Sequence, residues 1–109
     1  MKLNHALAVA GLLLAGNALA QAKVDPKAAE ALMQKSGCVA CHAIDKKVIG
    51  PAYKDVAAKY TADKDAATRL AAKVKAGGSG VWGPIPMPPN GQAPEADIKT
   101  LVAWILTLK

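Results

Sequence analysis

A segment from residue 77 to residue 94 is too rich in glycine and proline to form regular secondary structure. It contains five glycines and five prolines. Proline breaks the interior of a helix and is confined to the edges of sheets, so this segment must be a long loop. Loops of this length in compact domains usually carry function. We expect the loop to be packed, because it contains several apolar residues: Val81, Trp82, Ile85 and Met87.

Helical patterns occupy the chain on both sides of this loop. Asp25 followed by a proline is typical of a helix start, and the last helix has acidic residues in its first turn. The last helix also has the clearest apolar periodicity. We predict an all-α domain of about four helices, over residues 26–36, 53–59, 65–77 and 94–109.

The first twenty residues have the pattern of a secretory signal peptide. Lys2 precedes an apolar run over residues 6–16, and the small-residue pattern Ala18-Leu19-Ala20 follows. The run is shorter than the roughly 20 residues that span a bilayer, which disfavours the alternative of a membrane anchor. We therefore predict a signal peptide over 1–20, cleaved after 20 or after 22, a domain over 23–109, and a periplasmic protein without stable membrane insertion.

The exported chain has few side chains that could build a core. It has no Phe, two Trp and two Tyr, and much of its apolar content is alanine, which buries little area. A chain this short normally needs several disulfides, a metal or another group to be stable, and this one has two cysteines. We expect a large apolar group other than side chains to complete the core.

The charge balance limits the choice of partners. The formal net charge is +6, which favours approach to acidic surfaces. The lysines are scattered and Arg69 is the only arginine, so the clustered basic footprint of a nucleic-acid-binding domain is missing. We predict no nucleic-acid partner.

The most informative motif is Cys-Val-Ala-Cys-His at residues 38–42. Two cysteines at this spacing with His directly after them indicate covalent haem attachment, in which the imidazole of His42 lies under the iron. Zinc would need three or four protein ligands, and the other histidine, His5, is in the predicted signal peptide. A redox dithiol would follow a strand, and no strand signal precedes Cys38. A disulfide beside a surface histidine remains the alternative.

A haem with one axial histidine raises the question of its second ligand. The exported chain offers two methionines, Met33 and Met87. Met33 lies on the predicted first helix and is assigned to the core. Met87 lies between prolines that restrict the backbone, and we predict that it ligates the iron. The alternative is a loop methionine that fills an apolar gap.

Three blocks of the sequence resemble the small monohaem class I cytochromes c of bacteria, and most closely the cytochrome c-five-fifty-one type. They are residues 37–45, 50–57 and 80–90. The resemblance covers essentially the whole exported chain. It implies a class I cytochrome c fold over 23–109, one haem c bound covalently by Cys38 and Cys41, and an iron ligated by His42 and Met87.

The resemblance also implies roles for residues around the haem. The carbonyl of Pro51 would accept a hydrogen bond from the imidazole of His42. The indole of Trp82 would donate to a haem propionate, and Asn90 would help to hold the methionine loop. Lys73 stands near the position where close family members often carry an arginine that contacts a propionate.

The predicted function is one-electron transfer and not catalysis, because two protein ligands leave no coordination site for a substrate. The alternatives are an enzyme or gas sensor with an open iron site, and a haem-free binding module with a disulfide. We predict a monomer whose basic surface steers transient docking to acidic patches on redox partners. The resemblance implies that these partners act in respiration and denitrification. Nitrite reductase is the leading acceptor, a terminal oxidase or peroxidase is another, and a membrane cytochrome complex is the expected donor.

Overall fold

The computed structural model describes residues 24–109, and within them the fold is all-α. The four helices are α1 Pro26–Lys35, α2 Tyr53–Lys59, α3 Ala66–Ala76 and α4 Glu95–Ile105, and a 3-10 turn spans Cys38–Ala40. The prediction of an all-α fold with about four helices is confirmed. The signal peptide over 1–20, its cleavage positions and the domain start at 23 lie outside the described residues. None of the described helices combines the length and apolarity needed to cross a bilayer.

The last helix is shorter than the sequence predicts. It ends at Ile105 and not at Lys109. The hydroxyl of Thr107 donates to the carbonyl of Trp104 at 2.6 Å, and the backbone N–H of Thr107 donates to the same carbonyl at 3.0 Å. These bonds take the carbonyl that the next α-helical turn would use, so the helix closes with a tighter turn.

The helices begin within one residue of the predicted positions, but the aspartates that precede α1 and α3 do not cap them with their side chains. Asp25 and Asp65 both occupy the N-cap position, and neither carboxylate makes a capping hydrogen bond. At Asp65 the backbone has φ −98° and ψ 4°, outside the extended region that directs a capping side chain at the helix N–H groups. Its backbone N–H instead donates to the carboxylate of Asp63 at 2.9 Å.

Helix α4 is the centre of the core, which consists of two clusters. The first cluster joins α4 to α1 and α2 and contains Ala29, Met33, Tyr53, Leu101 and Trp104. The second joins α4 to α3 and contains Ala71, Ile98 and Val102. Met33 is therefore a core residue, as predicted, and Tyr53 and Trp104 pack in the same cluster.

The loop over residues 77–94 is less packed than the sequence predicts. Val81, Trp82 and Ile85 are 53%, 43% and 64% exposed, so the expectation of a packed loop does not hold for these three residues. They line an open cavity between the loop and the helices and not the helical interior. Of the four apolar loop residues, only Met87 is half-buried.

The dependence of the first cluster on one aromatic residue can be tested. Trp104→Ala should lower the free energy of unfolding by about 3–5 kcal/mol, because it removes the largest side chain of the cluster. Urea unfolding of the mature protein measures this change. Ala103→Ser, at an exposed position of the same helix, should change it by less than about 0.5 kcal/mol. Equal effects of the two substitutions would contradict the assignment of Trp104 to the core.

Candidate functional site

One cavity brings the predicted site residues together. It lies between the segment that begins at the 3-10 turn and the loop over 77–94, and its volume is about 260 Å³. Its lining includes all eight of the site residues predicted from the sequence, which are Cys38, Cys41, His42, Pro51, Lys73, Trp82, Met87 and Asn90. Residues far apart in sequence thus share one mostly apolar cavity.

The imidazole of His42 is oriented by a hydrogen bond. Its Nδ1 lies 2.8 Å from the carbonyl oxygen of Pro51. A carbonyl can only accept, so Nδ1 is the donor. The neutral ring then has an unprotonated Nε2 with a free lone pair, which is the form that binds a metal ion. The arrangement therefore makes His42 a ready metal ligand.

Two residues that the sequence analysis did not assign to the site also hold the His42 ring. The ring of Tyr53 stacks on it with centroids 4.9 Å apart and planes 17° apart. Gly50 approaches it so closely that a Cβ at this position would lie 2.5 Å from Cε1 of the ring. In the sequence, the Gly50-Pro51 pair indicates only an interruption of regular structure. No local pattern shows that this glycine packs against His42, eight residues earlier.

The two cysteines are presented by the tight turn between them. The backbone N–H groups of Cys41 and His42 both donate to the carbonyl of Cys38, at 3.2 and 3.0 Å. Both thiols are free and half-buried. Burial raises the pKa of the Cys38 thiol, and a hydrogen bond from the Tyr53 hydroxyl opposes this rise. Burial also raises the pKa of Tyr53 well above its usual range, so this hydroxyl stays a donor at neutral pH.

Met87 is held near the end of α3 by its backbone. Gly78 and Met87 exchange two hydrogen bonds, at 3.0 and 2.8 Å, and the N–H of Asn90 donates to the carbonyl of Val74 at 3.1 Å. Gly77, with φ 73°, lies so near that a Cβ would be 2.6 Å from the Met87 carbonyl oxygen. A side chain at Gly77 would therefore displace the methionine loop.

The side chain of Asn90 ties this loop to two helices. Its Nδ2 donates to the carbonyl of Ser36, just after α1, at 3.0 Å. Its Oδ1 accepts from the backbone N–H groups of Gln92 and Ala93, at 3.2 and 3.1 Å. These bonds shape the turn that leads into α4 and keep the loop close to the 3-10 turn.

The charged side chains that line the cavity are both cationic. They are Lys47 and Lys73, and no aspartate or glutamate within residues 24–109 lines it. The ion pairs of the described region are Arg69 with Asp63, and Lys99 with Glu95. Neither rim lysine is thus neutralised there. Trp82 lies on the same lining, so the cavity offers cations and an indole donor to an acidic ligand.

Comparison with known proteins gives consistent matches. A family model described as Cytochrome c matches residues 26–109. The chain is 55% identical to cytochrome c-552 of Nitrosomonas europaea over 102 residues, which cover 94% of this chain and 91% of the relative. It is 50% identical to cytochrome c-551 of Pseudomonas aeruginosa over 103 residues, with 94% and 92% covered. The crystal structure of wild-type Nitrosomonas europaea cytochrome c552 superposes with a TM-score of 0.72 at 59% identity, and the match covers 73% of this chain and 99% of that one.

The close approach of Gly50 to His42 makes a specific prediction. Gly50→Ala should lower the free energy of unfolding by about 1–3 kcal/mol, because the new methyl group forces the imidazole or its backbone to move. Urea unfolding measures the change. Gly91→Ala is the control, because a Cβ at Gly91 has no neighbour within 4 Å. Equal stability of the two variants would show that the contact at Gly50 is easily relieved.

Proposed function

The chain belongs to the cytochrome c family, and on that basis we propose how its own residues hold the cofactor and carry an electron. Its fold is the all-α class I cytochrome c fold with one covalently bound haem c, and it is an electron carrier and not an enzyme. We propose that Cys38 and Cys41 bind the haem, that His42 and Met87 ligate its iron, and that the protein is a soluble monomer of the periplasm.

The observation that carries this proposal is the shared cavity. Both thiols, a histidine with a free Nε2 and the tethered Met87 line it together. Within residues 24–109 no three His, Cys, Asp or Glu side chains could hold a metal ion by themselves. One His and one Met nevertheless suit an iron whose other ligands come from a porphyrin. Haem c, when bound, supplies a ferric/ferrous couple that takes up and releases one electron.

The surrounding residues would keep both ligands in place in either oxidation state. The bond to Pro51 fixes the ring of His42 and raises its basicity. The bonds of Asn90 hold the loop that carries Met87. A rigid pair of protein ligands leaves no coordination site for a substrate and keeps the structural change on electron transfer small. Both properties suit a carrier.

We assign Trp82 and Lys73 to the haem propionates. Support comes from their place on the cavity lining and from the absence of carboxylates among the described lining residues. The ammonium nitrogen of Lys73 lies against the backbone of the loop at Gly78. A Cβ at Gly78 would be only 2.5 Å from this nitrogen. The lysine is thus close to the same loop as the indole. An ammonium and an indole N–H both donate to carboxylates.

The cavity mouth is the proposed docking surface for redox partners. Ile49, Val81 and Ile85 are exposed there, and Lys47 adds positive charge. An apolar patch with positive charge suits brief contact with an acidic partner, since charge speeds the encounter and a small patch allows rapid release. We propose nitrite reductase as the leading acceptor, with a terminal oxidase or peroxidase as the other candidates, and a membrane cytochrome complex as the donor.

The ligand assignment is tested by spectroscopy of protein matured with haem in a bacterial periplasm. We expect a sharp low-spin spectrum, a weak far-red sulfur-to-iron band in the oxidised form, and no response of the reduced form to carbon monoxide. Met87→Ala should lose the far-red band and bind carbon monoxide, because it opens one coordination site. Met33→Leu, a substitution of similar volume in the core, should behave as the unmodified protein does.

Two outcomes would contradict this assignment. Rapid binding of carbon monoxide by the unmodified protein would indicate an open iron site and favour an enzyme or a gas sensor. Protein that matures without haem would instead favour the disulfide-containing binding module.

The docking surface is tested by electron-transfer kinetics with each purified partner over a range of ionic strength. Rates should fall as salt is added, because salt screens the attraction. At low salt Lys47→Gln should slow the reaction by about two- to five-fold, the range expected for one exposed charge pair. Lys27→Gln, on α1 away from the cavity lining, should change it little. A rate that is independent of salt would contradict electrostatic docking, and equal effects of both variants would contradict this surface.

A further inference from the structure

Trp82 lies on a turn that has little of its own to hold it in place. Gly80 and Gly83, with φ 103° and 118°, form the turn, and the N–H of Gly80 donates to the carbonyl of Gly83 at 2.8 Å. This bond joins the two ends of the turn to each other and does not attach the turn to a helix. The backbone bonds that anchor the loop, between Gly78 and Met87, lie outside it. The position of the indole therefore depends on side-chain contacts.

Lys59 provides such a contact from the end of α2. Its ammonium nitrogen lies 5.6 Å from the ring centroid of Trp82 and 6.0 Å from that of Tyr60. Both distances are within the roughly 6 Å at which an aromatic ring attracts a cation. Tyr60 is itself fixed to α2, because its N–H donates to the carbonyl of Val56 at 3.2 Å. The lysine thus links the turn to the helix.

The ammonium of Lys59 is directed to the rings and not to a carboxylate. Asp55 lies one turn earlier on α2, at the spacing that favours an ion pair. The ion pairs found between described residues are nevertheless those of Arg69 and Lys99. Both cation–ring contacts in the described region are made by Lys59. The charge of Lys59 therefore interacts with the rings of Tyr60 and of Trp82 in the loop.

We propose that Lys59 is a positioning residue for Trp82. By lying over the two rings, it fastens the turn at residues 80–83 to the end of α2 and holds the indole at the cavity rim. The proposal rests on the proposed function in one respect, which is the assignment of the Trp82 indole to a haem propionate.

The test is hydrogen exchange at the indole N–H groups, followed by NMR in the reduced haem-loaded protein. Lys59→Met should speed exchange at Trp82 by about two- to five-fold, the factor equivalent to an exposed cation–ring contact. Trp104, which is buried in the core, is the internal reference and should not change. Lys59→Arg should preserve slow exchange, because a guanidinium also stacks on aromatic rings.

Lys54→Met is the matched control, since it removes an equal charge from an exposed position of the same helix. It should leave exchange at Trp82 unchanged. Unchanged exchange in Lys59→Met would overturn the proposal. Equal acceleration in Lys59→Met and Lys54→Met would also overturn it, because the effect would then be one of charge alone.

A second NMR measurement distinguishes a failure of this proposal from a failure of the proposed function. The side-chain protons next to the Lys59 ammonium should be shifted upfield by the ring currents of Trp82 and Tyr60. Unprotected exchange at Trp82 in the unmodified protein would contradict its propionate contact. An upfield shift of the Lys59 protons would still support the positioning role in that case, and its absence would overturn that role.

Discussion

The hydrogen bond from His42 to the carbonyl of Pro51 is the contact around which the site is organised. It orients the ring and assigns the proton to Nδ1, which leaves Nε2 available. The other neighbours of the ring, Gly50 and Tyr53, restrict it further. Tyr53 also belongs to the first core cluster, so the orientation of the His42 ring is joined directly to the packing of α1, α2 and α4.

On the other side of the cavity, Met87 is held by backbone hydrogen bonds. These bonds belong to a loop whose glycines and prolines prevent it from forming a helix or a strand. Proline limits the conformations of this loop, and Gly77 allows it to approach α3 more closely than any side chain would permit. Asn90 then connects the loop to Ser36, 54 residues earlier. The two sides of the cavity are thus joined across the fold, which limits their relative movement.

The sequence predicts much of this arrangement because its strongest signals are local. Helix positions follow from apolar periodicity and from glycine and proline breaks, and the haem motif is a continuous run of five residues. The inaccurate predictions concern interactions that local patterns do not encode. The end of α4 depends on a hydroxyl of Thr107, and the exposure of Val81 and Ile85 depends on the cavity that they border. Gly50 was missed because its role arises only when the chain folds back on His42.

The small core and the open cavity have a common origin in the alanine content of the helices. Ala29 and Ala71 are buried where α1 and α3 meet α4, and small residues at such contacts allow helices to approach closely. Close helices enclose little apolar volume, so the larger apolar residues of the loop lie on a cavity lining and not in the helical interior. A cofactor held in that cavity contacts both the loop and the helices, and its binding energy then adds to the stability of the fold. The composition that makes the chain a poor core-former by itself is therefore consistent with a domain that is completed by its haem.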